Sequence, residues 1–136
     1  MIGVGAGRCA TLTSSHNTFL GNYAGKCASG GSYNNFFGYC AGFCHSGSGT
    51  GNNFFGAYAG FSNAAAGNNF IGEGAGQSNT SGTANVMIGN AVGRCAVTTG
   101  VYNNFIGSCA GKCASGSGNN NNFIGCLLYT SDAADE

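Results

Sequence analysis

Proline and tryptophan are absent from this 136-residue chain, and charge is nearly so, with four Lys or Arg and four Asp or Glu. Each scarcity excludes something. Disordered chains combine low apolar content with high net charge. Here 43% of residues are apolar and 10 are Phe, which predicts a folded chain. The lack of proline, and of glycine at every third position, excludes a collagen-like helix. No apolar run approaches the ~20 residues of a membrane-spanning helix, so membrane insertion by this segment is not expected. Acids are scarcest of all, since Glu73 is the only one before Asp132. A hydrolase needs paired carboxylates, or a nucleophile with a base and an orienting acid. His16 and His45 fall in variable stretches and read as solvated loop residues. The sequence therefore predicts no catalytic residue, no cofactor and no enzyme.

What is abundant is glycine, 27 residues of it. At ~1 kcal/mol per helical position relative to Ala, this density disfavours helices. The glycines belong to a repeat, Asn-x-Phe-(Ile/Leu/Phe)-Gly-x-x-Ala-Gly. It reads NTFLGNYAG from Asn17, NNFFGYCAG from Asn34, NNFFGAYAG from Asn52, NNFIGEGAG from Asn68, NVMIGNAVG from Asn85 and NNFIGSCAG from Asn103. Partial copies lie at Ile2 and Asn121. The anchor glycines Gly3, Gly21, Gly38, Gly56, Gly72, Gly89, Gly107 and Gly125 are spaced by 16 to 18 residues. That period is too short for paired helices and suits one coil of a solenoid. The expectation is an all-β fold: a β-solenoid (β-roll or β-helix) of about seven coils, each with two short strands and two turns. Length variation falls in stretches such as residues 29–33 and 45–51, as in loops.

Repeat phase then assigns columns. Phe19, Phe36, Phe54, Phe70, Met87, Phe105 and Phe123 form the expected core column. Asn17, Asn34, Asn52, Asn68, Asn85, Asn103 and Asn121 should stack as a hydrogen-bonded ladder. Five residues after each anchor come Arg8, Lys26, Phe43, Phe61, Gln77, Arg94 and Lys112, a surface stripe holding every cation of the chain. Two readings of the stripe compete. Either long side chains shield the coil edges, or aromatics and cations contact surface glycans.

One residue further on lie Cys9, Cys27, Cys44, Ser62, Ser78, Cys95 and Cys113. The alternation of Cys with Ser predicts a small, semi-buried packing slot, with inter-coil disulfides and metal binding as competing readings. Zinc wants two Cys pairs together. Cys40/Cys44 and Cys109/Cys113 are four coils apart, about 19 Å at ~4.8 Å per coil, so no metal site is expected. The clusters Gly3-Val4-Gly5-Ala6-Gly7 and Gly72-Glu73-Gly74-Ala75-Gly76 lack the G-x-G-x-x-G spacing of a nucleotide loop. The repeats carry no recurring Asp for calcium and no regular Thr face for ice. Asn79-Thr80-Ser81 matches the glycosylation pattern by coincidence of composition.

The last eleven residues, CLLYTSDAADE, share nothing with the repeats and resemble a translated sequencing adapter. Residues 1–125 thus read as a solenoid array, a fragment of a longer one, and residues 126–136 as a non-native tail. Without the tail, four cations face Glu73 alone, a net +3. That is too sparse for the dense basic face of a nucleic-acid binder.

The NNFFGxxAG unit resembles the glycine- and asparagine-rich arrays of marine bacteriophage tail-fibre and virion proteins. It is similar in style to the head repeats of trimeric autotransporter adhesins. The resemblance implies an elongated structural segment, homotrimeric in the full-length protein, that supports host attachment from a virion or cell surface. A phage tail fibre is the leading expectation, and the head of a bacterial surface adhesin is the alternative.

Overall fold

The computed structural model describes residues 1–11, 15–47, 49–95, 100–113 and 118–125. The expected tail, residues 126–136 with Cys126, lies outside the described residues. The fold is all-β, a β-solenoid. Its strands are β1 (Thr18–Leu20), β2 (Asn35–Phe37), β3 (Asn53–Phe55), β4 (Asn69–Ile71), β5 (Val86–Ile88), β6 (Asn104–Ile106) and β7 (Asn122–Ile124). They form one parallel sheet in chain order. Pairing is in register throughout, so Phe36 faces Phe54 and Phe54 faces Phe70. Six such steps at ~4.8 Å span roughly 30 Å.

Among the described residues, each coil holds one strand of three residues rather than the two strands expected from the repeat. The glycine-rich half explains the difference. In the third coil, Ala59 N–H donates to Gly56 O (3.3 Å), Phe61 N–H to Tyr58 O (3.3 Å) and Asn63 N–H to Gly60 O (3.1 Å). These are three overlapping β-turns. In the first two, the third residue is left-handed, Tyr58 at φ 59° and Gly60 at φ 57°, as a type II turn requires. An extended second strand is incompatible with those angles. The anchor glycine also permits the coils to approach. A Cβ on Gly56 would lie 2.4 Å from the Gly72 carbonyl oxygen, so only hydrogen fits.

The core is a single narrow column. Phe19, Phe36, Phe54, Phe70, Met87 and Phe105 are buried, and Phe123 packs partly buried against them. Each buried ring is worth roughly 1.5–3 kcal/mol. Ala24, Ala41, Ala59, Ala75, Val92 and Ala110 fill the opposite wall. The wall is thin because the ring touches the far turn: a Cβ on Gly60 would meet Phe54 at 2.5 Å.

The asparagine column forms a ladder of a specific kind. The backbone N–H of Asn34, Asn52, Asn68, Asn85, Asn103 and Asn121 donates to the side-chain oxygen of the preceding coil's Asn, each time at 2.9 Å. A satisfied buried bond contributes about 1 kcal/mol, whereas an unmade one costs more. A second ladder runs outside the sheet, where Asn35 donates to Asn53 and Asn53 to Asn69. Beside it, Leu20, Phe55, Ile71, Ile88 and Ile106 stand in an exposed apolar column.

Candidate functional site

The turn side of the solenoid positions the stripe. The residue five after each anchor follows the left-handed glycine that closes over the core, so its side chain leaves the coil outward. Arg8 and Arg94 are exposed, while Lys26, Phe43, Phe61, Gln77 and Lys112 are half-buried. The stripe divides into two chemically different stretches. In the first, Lys26 Nζ sits 5.0 Å from the Tyr23 ring centre and 5.2 Å from that of Phe43. Phe43 and Phe61 stack at 5.0 Å with planes 8° apart. In the second, Arg94 Nε donates to Gln77 Oε1 at 3.0 Å, linking the two coils at the surface.

Three tyrosines join the aromatic stretch that the repeat phase did not single out. Tyr39 meets Tyr23 edge-on at 6.1 Å and Tyr58 at 5.3 Å, and Tyr58 leans on Phe61 at 6.0 Å. Tyr23 and Tyr58 occupy the slot two residues after the anchor, at φ 60° and 59°. In two other coils this slot holds Gly5 and Gly74. A left-handed backbone costs a non-glycine residue roughly 1–2 kcal/mol. Cys40, Ala91 and Cys109 take the same angle in this slot, so the turn imposes it and the tyrosine ring is an addition to it. The available signal in the sequence was tyrosine standing where glycine alternates.

Two expectations are corrected. His45, read as a solvated loop residue, is fully buried. It lies edge-on to Phe36 at 5.3 Å and to Phe54 at 6.2 Å. Its Nε2–H donates to the Gly49 carbonyl at 3.0 Å, and Nδ1 faces the Asn63 amide at 3.5 Å. These partners select the neutral tautomer. Burial pushes its pKa below the usual 6.5, opposed in part by the backbone groups of Gly49 and Asn63. His45 shares its repeat slot with buried Asn63, Asn79 and Ala28, so the interior small-or-amide position lies there. His16 is exposed and stacks on Tyr33 at 4.8 Å.

The cysteine slot, expected to be semi-buried, faces outward. Cys9, Cys27, Cys44, Cys95 and Cys113 are exposed free thiols, and Ser62 and Ser78 are half-buried. The chain turns inward only at the next residue. Among the described residues, no three His, Cys, Asp or Glu side chains gather as a metal site, and no helix is long and apolar enough to cross a membrane.

Lys26, Tyr23, Tyr39, Phe43, Tyr58 and Phe61 thus make one continuous aromatic surface with a cation at its end. Such a surface can stack on planar or ring-shaped ligands and meet an anionic group. The chain matches no family model, no curated protein and no solved structure, and the ridge itself is what bears on function.

Proposed function

We propose that this array is a structural and adhesive segment of a phage tail fibre or similar virion surface protein, whose aromatic ridge contacts glycans of a host surface. The observation that carries the reading is the Lys26–Tyr23–Phe43–Phe61 cluster with Tyr39 and Tyr58 packed against it. Sugar rings present C–H faces that stack on aromatics, and Lys26 supplies a partner for acidic sugars. The resemblance of the NNFFGxxAG unit supports the fibre setting. In the full-length homotrimer, the outer apolar column is the face that packs. A second copy shares its coil rise, so the two columns mesh coil for coil.

The test is binding of the full chain to host-cell polysaccharide, before and after Phe43→Ser and Phe61→Ser together. Loss of binding with the folding transition retained supports the ridge. Unchanged binding in a folded double variant refutes it and leaves these rings only a shielding role.

A further inference from the structure

We infer that the outward corner beside the ridge is a row of reactive thiols that close disulfides from one coil to the next. The row has two parts, Cys9–Cys27–Cys44 and Cys95–Cys113, separated by the coils of Ser62 and Ser78. All five thiols are exposed. Backbone bonds lock the neighbouring corners together: Cys9 N–H to Lys26 O (2.7 Å), Cys27 N–H to Phe43 O (2.8 Å) and Cys95 N–H to Lys112 O (2.7 Å). Adjacent coils at ~4.8 Å fall inside the Cα separation that a disulfide spans. The Cys113 pKa is raised, first by a side-chain hydrogen bond with Cys95, and the nearby Lys112 charge opposes this.

An independent sequence observation points the same way. All four cations immediately precede a cysteine of this row: Arg8–Cys9, Lys26–Cys27, Arg94–Cys95 and Lys112–Cys113. Cys44 alone of the five follows Phe43, and where the slot is Ser62 or Ser78 the preceding residue is Phe61 or Gln77, again without a cation. At Cys113 the Lys112 charge favours the thiolate, which is the attacking species, against the larger opposing influence of Cys95.

The oxidant is a small-molecule disulfide, R–S–S–R. The Cys95 thiolate attacks one sulfur, forming a mixed disulfide and expelling R–S⁻, which takes up the proton that Cys95 lost. The Cys113 thiolate then attacks the Cys95 sulfur, the bond to R–S breaks, and a second R–SH leaves. Two thiols are oxidised and one R–S–S–R is reduced. In the three-thiol part, Cys27 has a neighbour on each side, so its bridge exchanges between Cys9 and Cys44 while one thiol always stays free. Cys40 is excluded, since it is buried and its neighbours at that slot are Tyr23 and Tyr58.

The experiment incubates the full chain at low concentration with oxidised glutathione, alkylates free thiols and maps the peptides. The expected products are a Cys95–Cys113 bridge, Cys27 joined to either Cys9 or Cys44, and a raised urea midpoint that reductant reverses. In Cys95→Ser, Cys113 should instead retain glutathione as a stable mixed disulfide. Persistent glutathione on both Cys95 and Cys113 of the unaltered chain would overturn the proposal, as would bridges across the serine coils or chiefly between chains.

Discussion

Phe36 and Phe54 stack at 4.8 Å with planes 6° apart, and Phe43 and Phe61 at 5.0 Å and 8°. The geometry is nearly the same, yet the first pair is fully buried and the second lies on the ridge. A third pair, Phe37 and Phe55, stacks at 4.8 Å on the outer sheet face. Coil register thus brings equivalent rings to stacking distance in core, ridge and outer face alike, although Phe105 and Phe123 meet at 4.8 Å with planes 45° apart. What separates core from ridge is the cover: a left-handed glycine turn closes over Phe54, while Phe61 is flanked by Phe43 and Tyr58 and stays half-exposed.

The strongest way to break the comparison is to truncate one ring from each pair. Phe54→Ala should cost about 3–5 kcal/mol, as buried rings do. Phe61→Ala should cost under about 1 kcal/mol, because little apolar area leaves cover. Equal shifts in denaturant midpoint would show that the outer stack also holds the coil together. Closing the cover further is the next largest perturbation. Gly60→Ala forces a methyl 2.5 Å from the Phe54 ring at φ 57°. Left-handed strain and overpacking together predict a loss of about 2–3 kcal/mol, read by the same denaturation curve.

Acid probes the interior selectively. The pKa of His45 is depressed in the fold, so the unfolded chain binds its proton more readily. Its contribution is fully present above the ordinary value of 6.5 and is lost as pH falls through the lower folded value. Thermal melts between neutral and mildly acid pH should show that loss. His45→Asn, which copies Asn63 and Asn79 in the same slot, should abolish it. If the variant is equally acid-sensitive, another group governs the response. The smallest effect is expected on the ridge, at Tyr58→Gly. Relief of left-handed strain should leave stability unchanged or raise it by about 1 kcal/mol, while glycan binding falls. A clear destabilisation would mean that the ring contributes to folding after all.

Much of the architecture was legible because a repeat forces equivalent residues into equivalent places. Phase alone located the ring column and the asparagine ladder. It did not reveal that the glycine half is a run of turns, since Tyr23, Cys40, Tyr58 and Ala91 all adopt the left-handed angle there and none announces it by type. His45 was misplaced for a related reason. Its slot holds Ala28, His45, Asn63 and Asn79, a mixture that reads as loop, although each side chain points inward. The cysteines lie one residue earlier, where the chain has not yet turned in. The tyrosines of the ridge were hidden because they alternate with small residues and carry no period of their own.

The asparagine ladder has a direction, since every side-chain oxygen accepts from the coil that follows it. Any internal coil thus offers its neighbours the same donor on one side and the same acceptor on the other. Unequal crossing-over that inserts or removes one whole unit would leave each remaining junction chemically complete. Copy number is in that sense free to drift under selection for reach, while the outward positions change independently of the bonds that carry the rod.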